Sequence, residues 1–110
     1  MQAAATQLSS VPNQQGHQAL EGLSAVLTIG AHPTSTRHIE ALVWSVTMEG
    51  VLLSIDEPIK GVTYAWLELD LPDLGMIRPL MRIEEQGGDK VWLTYRHLFP
   101  QDRDLLRRSL

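Results

Sequence analysis

Apolar and polar residues alternate along much of the chain, and the alternation is most regular between residues 64 and 71. In that segment the odd-numbered positions are Ala or Leu, and the even-numbered positions are Tyr, Trp, Glu and Asp. Because successive side chains of a strand point to opposite faces, this pattern predicts a half-buried β-strand. Comparable segments bounded by turn residues bring the prediction to six strands, at residues 23–29, 39–47, 51–55, 64–71, 76–85 and 91–98.

Two proline residues refine the predicted architecture. Pro79 lies inside the fifth predicted strand and has no N–H to donate, so the sequence predicts an edge or a bulge there. Pro100 begins a final helix with Asp102 in its first turn and with Arg107 and Arg108 in its last turn, which complements the helix dipole. A helix of about ten residues is marginal alone, so it is expected to dock on the strands.

Together these elements predict an all-β fold with a terminal helix. The specific prediction is a small six-stranded antiparallel β-barrel, closed or nearly closed, followed by a C-terminal α-helix, with the domain spanning residues 21–110. Trp44 and Trp92 are predicted to lie in its core. Residues 1–20 contain no formal charge and no useful periodicity, so they are predicted to form a flexible N-terminal tail.

Composition narrows the class of protein. The 110 residues are 44% hydrophobic and 20% charged, which is typical of one globular domain, and the chain has no cysteine for a disulfide or a thiolate metal site. No apolar run is long enough to cross a membrane and the N-terminus lacks the pattern of a secretory signal, so a cytoplasmic location is predicted. The net charge of −4 divides into −3 for residues 1–60 and −1 for residues 61–110. Without a basic stripe, no DNA or RNA partner is predicted.

The end of the second predicted strand and the turn after it carry the candidate ligand-binding chemistry. Ser45 and Thr47 are two positions apart, so they are expected to share one face, with Trp44 and Val46 directed toward the core. Gly50 follows, and it permits either close approach of another backbone or a positive φ. The pattern predicts either a shallow polar ledge for a ligand or an ordinary hairpin with a polar outer face.

From about residue 23 to the C-terminus the chain resembles the PilZ domain family, bacterial modules that act as receptors for cyclic di-GMP. The resemblance rests on residues 43–53 (VWSVTMEGVLL), 67–72 (LELDLP) and 102–108 (DRDLLRR), and on the spacing between them. It implies a six-stranded β-barrel with a C-terminal helix, in agreement with the elements predicted above. It also implies that Ser45, Thr47 and Gly50 occupy a family motif of Asp or Asn, then Ser two positions later, then Gly three positions after that.

The chain departs from the family's ligand motifs in two places. Ser45 stands where the motif has Asp or Asn, and a hydroxyl cannot supply the two acceptors or the amide of that side chain. The family also has two arginines, four positions apart, just before the first strand, whereas this chain has no Arg or Lys before Arg37. Each lost charge-assisted contact removes about 1.5–3 kcal/mol, so two losses weaken the binding of a dianion by about 10²–10⁴-fold.

Two functions are compatible with these motifs. The first is a non-catalytic PilZ-like signalling or adaptor module of a cyclic di-GMP or pilus/motility pathway, which binds a protein partner and binds the dinucleotide weakly or not at all. The second is a direct cyclic di-GMP receptor whose atypical site uses Ser45, Thr47, Gly50 and a basic residue such as Arg37, with a partner completing the site if needed. No side chains form a pattern of nucleophile, acid and base or of metal ligands, so no enzyme activity, metal or cofactor is predicted.

Tyr64 and Trp66 are the candidate protein-interface residues. Ala65 and Leu67 already occupy the inner face of their strand, so both aromatic rings are predicted to lie on the outer face. Large aromatic side chains are enriched at interfaces, although cover by the tail or the helix would give the same pattern. A homodimer, formed through this face or through an edge strand, is also compatible with the sequence.

Overall fold

A computed structural model of the chain describes residues 22–30 and 36–110, and the tail predicted for residues 1–20 lies outside them. These ranges contain seven strands and one helix. The strands are β1 (Ser24–Ile29), β2 (Arg37–Val46), β3 (Gly50–Ile55), β4 (Tyr64–Leu71), β5 (Gly75–Ile77), β6 (Leu80–Gly87) and β7 (Lys90–His97), and they are followed by helix α1 (Pro100–Ser109).

The barrel closes because β1 pairs with two neighbours. It is antiparallel to β2 along its whole length and antiparallel to β4 from Ala25 to Thr28. Antiparallel pairs of β2 with β3, β3 with β7, β7 with β6, and β6 with β4 complete the ring. The predicted six-stranded antiparallel barrel with a C-terminal helix is therefore confirmed, and β5 adds one short strand against the end of β4.

The interior of this ring is filled by the apolar side chains that alternate along the strands. In β4, Ala65, Leu67, Leu69 and Leu71 are buried, as the sequence pattern predicted. Because a six-stranded ring is narrow, its interior is packed with side chains, and a ligand can be bound only at its outer surface or its ends. The largest fully buried side chains are those of Leu27, Val43, Val46, Val51, Leu53, Leu67, Leu69, Leu71, Ile77, Met81, Leu93 and Leu106.

The fifth predicted strand is wrong as a single element, because it consists of two strands. β5 ends at Ile77 and β6 begins at Leu80, with Arg78 and Pro79 between them. Pro79 cannot donate to a ladder, but its carbonyl oxygen accepts a hydrogen bond from the N–H of Leu67 at 3.0 Å. β5 pairs with the end of β4, and β6 pairs with its beginning. The change from one stretch to the other occurs at Pro79, where the sequence predicted an irregularity.

Helix α1 docks on this break between β5 and β6. Leu106 is fully buried in the core, and Asp102 is buried beside the break. The Oδ2 atom of Asp102 accepts a hydrogen bond from the backbone N–H of Arg78 at 3.0 Å. The residue at the N-cap, Phe99, supplies no side-chain capping bond. The short helix therefore depends on these tertiary contacts for its stability.

Replacement of Asp102 by Ala is expected to lower the free energy of unfolding by about 1.5–3 kcal/mol, because the N–H of Arg78 loses a charged acceptor. Urea denaturation of the folded domain measures this change. Asp104→Ala is the matched control, since Asp104 is exposed and makes only a surface ion pair with Arg108 at 3.3 Å, for which a loss below about 0.5 kcal/mol is expected. Equal losses in the two variants would contradict the docking role of Asp102.

Candidate functional site

A β-bulge at Trp44 decides which way the candidate motif faces. β2 and β3 are in register at Val43, opposite Leu53, and again at Ser45, opposite Leu52, so Trp44 is the extra residue. Trp44 is 46% exposed, so its predicted place in the core is wrong. Ser45 shares the outer face of Leu52. The bulge thus breaks the predicted alternation, which put Ser45 and Trp44 on opposite faces.

Ser45 lies in an apolar outer surface and has little exposure of its own. It is 7% exposed, whereas Val46 after it returns to the core, as predicted. Leu52 and Trp92 pair across β3 and β7, and both are buried although they lie outside the core cluster. Trp92 is therefore buried, as predicted, but on the outer face of the barrel. Ser45 pairs with Leu52 of β3, and Leu52 pairs in turn with Trp92 of β7, so its neighbours across the strands are apolar.

The hydroxyl of Thr47 holds the turn between β2 and β3. Its Oγ1 accepts hydrogen bonds from the backbone N–H of Glu49 at 3.1 Å and from that of Gly50 at 3.2 Å. The N–H of Thr47 donates to the carbonyl of Gly50 at 2.9 Å, and the hydroxyl of Tyr95 donates to the carbonyl of Thr47 at 3.0 Å. Thr47 thus has the turn-closing role that serine and threonine side chains commonly take.

Gly50 is required by the close approach of β7. A Cβ atom at this position would fall on the carbonyl oxygen of Leu93 and would lie 2.7 Å from Cη2 of Trp92. Gly50 is not among the glycines with a positive φ. Of the two roles considered for this glycine, close approach of another backbone is the one that the structure shows.

Charged side chains border the same outer surface. The Nζ atom of Lys90 lies 4.2 Å from the centroid of the Trp44 ring, within cation–π range, and 3.0 Å from Oδ1 of Asp89. The hydroxyl of Ser54 donates to Oδ2 of Asp89 at 3.0 Å. The hydrogen bond from Lys90, followed by the one from Ser54, holds the pKa of Asp89 below its ordinary value. Lys90 is therefore engaged by both an aromatic ring and a carboxylate.

Arg37 is distant from the other candidate ligand residues. It is the first residue of β2, and Ser45 is near the end of the same strand, which corresponds to roughly 26 Å along an extended chain. The guanidinium group of Arg37 forms an ion pair with Glu57 at 3.0 Å. The structure therefore brings Ser45, Thr47 and Gly50 together but leaves Arg37 at the other end of the strand.

Two arginines that the sequence did not single out lie beside the β2–β3 turn. Arg96 of β7 and Arg103 of α1 line a groove together with Met48 and Glu49 of the turn. They meet the turn only through the pairing of β7 with β3 and the docking of α1. Arg103 lies within residues 102–108, but nothing in the sequence indicated that it or Arg96 would lie beside the β2–β3 turn.

Tyr64 and Trp66 lie on the outer face of β4, as predicted. Tyr64 is 44% exposed and Trp66 is 45% exposed. Helix α1 therefore does not cover either ring, which removes one of the two alternatives to an interface role. Both side chains are available for contact on the surface that the structure describes.

Within residues 22–30 and 36–110, no helix has the length and apolar character needed to span a membrane. The same residues contain no group of three or more His, Asp or Glu side chains placed to hold a metal ion.

The buried phenol of Tyr95 is expected to make stability fall in alkaline solution. Burial raises the pKa of Tyr95 above its ordinary value of about 10, so the unfolded chain loses this proton first as the pH rises. The folded state then holds more protons, and the free energy of unfolding should fall by up to about 1.4 kcal/mol per pH unit above pH 10. Urea denaturation between pH 7 and pH 11 measures this slope.

Tyr95→Phe should be less stable at neutral pH by about 1 kcal/mol, because the hydrogen bond to Thr47 is lost, and its alkaline slope should be smaller. Tyr64→Phe removes an exposed phenol and serves as the control. An unchanged slope in Tyr95→Phe would show that another group is responsible.

Comparison with known proteins supports the fold. No family model matches the chain, and no curated protein matches it. A solved structure described as the PilZ domain of CeSA from a cellulose-synthesizing bacterium is similar, with a TM-score of 0.58 at 15% sequence identity. The similarity covers 78% of this chain and 86% of that one. At this level of identity the comparison establishes architecture, and the chain has the PilZ-like fold of a six-stranded β-barrel with a C-terminal helix.

Proposed function

We propose that this chain is a non-catalytic PilZ-like signalling or adaptor module of a bacterial cyclic di-GMP or pilus/motility pathway. It acts in the cytoplasm through contacts with a protein partner, and it binds the dinucleotide weakly or not at all. The observation that carries the proposal is an exposed aromatic surface on the barrel. The motif residues Ser45, Thr47 and Gly50, by contrast, are engaged in contacts within the barrel itself. The similarity to a PilZ domain structure supports the general class of module.

The aromatic surface consists of Tyr64, Trp66, Leu80, His97 and Phe99. Trp66 pairs with Leu80 across β4 and β6, and Leu80 pairs with His97 across β6 and β7. The ring of His97 meets that of Phe99 edge-on, with 4.6 Å between centroids. Large aromatic side chains bury much area at a small cost in conformational entropy, which suits them to protein contacts.

A shallow hollow gives this surface a shape that a partner can fill. Its volume is about 320 Å³, and Tyr64, Leu80, His97 and Arg96 line it. Interface hot spots are enriched in Trp, Tyr and Arg and favour pockets of this kind. The combination of Trp66 beside the hollow and Arg96 at its edge supports a protein partner.

Weak or absent dinucleotide binding is supported by the residues of the motif itself. Ser45 is buried, the hydroxyl of Thr47 is used within the turn, and the ring of Trp92 lies over Gly50. A ligand would have to displace these contacts before it could bind there. Each displaced hydrogen bond would be replaced by another at best, so binding would gain little.

The alternative is a direct cyclic di-GMP receptor with an atypical site, which a partner could complete. The observation that favours it is the exposed β2–β3 turn, because Glu49 and Met48 lie in a groove with Arg96 and Arg103. In this alternative, arginines from β7 and α1 take the place of those that the family has before its first strand. Ser45, Thr47 and Gly50 would supply the adjoining surface.

Isothermal titration with cyclic di-GMP distinguishes the two functions. No saturable binding is expected at micromolar concentrations, because Ser45, Thr47 and Gly50 are engaged in contacts within the barrel and Arg37 lies far from them. Saturable micromolar binding would overturn the adaptor proposal in favour of the alternative. Repeating the titration in the presence of cell lysate tests whether a partner completes the site.

Trp66→Ala is expected to abolish binding of the protein partner, with a loss of at least about 2 kcal/mol, if the aromatic surface is the interface. The measurement is affinity capture from a lysate of the source organism, with sedimentation velocity to detect self-association. Trp44→Ala is a closely matched control, because the two tryptophans are 46% and 45% exposed but lie on different parts of the barrel. Equal partner binding and self-association in wild type and Trp66→Ala would rule this surface out.

A further inference from the structure

The charged side chains around the aromatic surface are mainly basic, which bears on the chemistry of its partner. The five residues of the surface include no carboxylate, and no carboxylate lines its hollow. Two arginines border the surface, namely Arg96 at the hollow and Arg82 beside Tyr64. The whole chain has a net charge of −4. This surface therefore differs in sign from the molecule as a whole.

Arg96 is held at the edge of the hollow by a bulge in β7. Tyr95 pairs with Met81 and His97 pairs with Leu80, so Arg96 is the extra residue between them. Its side chain is exposed, and it forms no ion pair or side-chain hydrogen bond within the described part of the chain. The guanidinium group of Arg96 is therefore available to a carboxylate of a partner.

Arg82 adds a second positive charge, since it lies opposite Tyr64 across β4 and β6. Its ion pair with Glu84 is long, with 3.6 Å between Nε and Oε2, and its side chain is 55% exposed. Glu84 accepts a shorter hydrogen bond, of 2.7 Å, from the hydroxyl of Thr94. An exposed ion pair of this length contributes little free energy, so a carboxylate of a partner can compete for Arg82.

The acidic side chains of β4 do not offset these charges. Glu68 lies two positions after Trp66 and forms an ion pair with Arg78 at 3.4 Å. Asp70 is exposed, but it lies four positions after Trp66, which corresponds to about 13 Å along a strand. The part of the surface that contains the hollow therefore keeps its positive charge.

The two arginines are close enough for one short segment of a partner to reach both. Thr94 lies opposite Arg82, and Arg96 is two positions further along β7, which corresponds to about 7 Å along a strand. Side chains at alternate positions of an extended segment share one face. An apolar residue with Asp or Glu two positions away thus presents both groups to the same surface.

We propose that the partner contacts the aromatic surface through an acidic segment, in which an apolar side chain is flanked by Asp or Glu. The apolar side chain enters the hollow beside Trp66, and the carboxylates bind the guanidinium groups of Arg96 and Arg82 in two-point hydrogen bonds. A basic segment is disfavoured, because like charges across an interface repel. This inference rests on the proposed adaptor function and names the kind of partner that the surface takes.

Titration of the full chain with the blocked heptapeptide GESFSEG, followed by two-dimensional ¹⁵N NMR, tests this chemistry. Saturable shifts are expected at the amides of Trp66, Leu80 and His97, with weaker binding as salt is added. The glutamine peptide GQSFSQG should bind about fivefold more weakly or less tightly still. The lysine peptide GKSFSKG should show no saturable binding.

Arg96→Gln should weaken binding of the glutamate peptide by about three- to fivefold and change binding of the glutamine peptide by less than about twofold. Arg96→Glu should reverse the preference, so that the lysine peptide binds more tightly than the glutamate peptide. Arg103→Gln is the matched control, because Arg103 is exposed but does not line the hollow. Equal losses for both peptides in Arg96→Gln, or an equal loss in Arg103→Gln, would overturn the pairing with carboxylates.

Trp66→Ala should abolish saturable binding of the glutamate peptide, and unchanged binding would overturn the proposed location. Partner capture that requires Trp66 but is unchanged in Arg96→Gln would overturn the acidic segment and leave the adaptor function standing. Capture that does not require Trp66 would contradict the aromatic surface as the interface. A single-stranded oligonucleotide that shifts the same amides at equal or lower concentration would overturn the assignment to a protein segment. Urea denaturation of each variant verifies that it is folded.

Discussion

The pairing of β1 with both β2 and β4 is the constraint on which the rest of the structure depends. Leu27 lies opposite Ile39 on one side and Leu67 on the other, and all three side chains are buried. This double pairing closes the sheet, so that the inward side chains of the ring share one core and the ring itself has no open edge. Without it, the apolar face of each strand would meet water along the gap between β1 and β4.

Closure also determines where function can be located. The interior is filled by side chains, so binding chemistry must lie on the outer face or at the ends of the barrel. The outer face around Ser45 is apolar because the bulge at Trp44 and the buried ring of Trp92 occupy it. Exposed aromatic and arginine side chains lie elsewhere, in the aromatic surface and in the groove beside the β2–β3 turn.

These two regions are neighbours because the end of β7 serves both. Arg96 borders the hollow of the aromatic surface and the groove of the turn. The same strand supplies Tyr95, whose hydroxyl fixes the turn through the carbonyl of Thr47. The exposed aromatic surface and the arginine-lined groove thus lie outside Ser45, Thr47 and Gly50, the motif positions to which the family resemblance points.

The sequence by itself determined the strand periodicity, the terminal helix and the resemblance that led to the barrel. It did so because alternation of side chains is a local property, most clearly seen in residues 64–71. The irregularity at Pro79 was predictable for the same reason, since the missing N–H is a property of the residue alone. The tertiary structure decided the division into β5 and β6, because that division depends on which part of β4 each segment pairs with.

Only the tertiary structure could decide the chemistry of the candidate site. The bulge that turns Trp44 outward arises from the register between two strands, and it interrupts the simple alternation that predicted Trp44 in the core. A glycine is required at position 50 because β7, which is far along the chain, approaches its backbone closely. Arg96 and Arg103 likewise join the turn only through strand pairing and helix docking, and such long-range contacts leave no local pattern in the sequence.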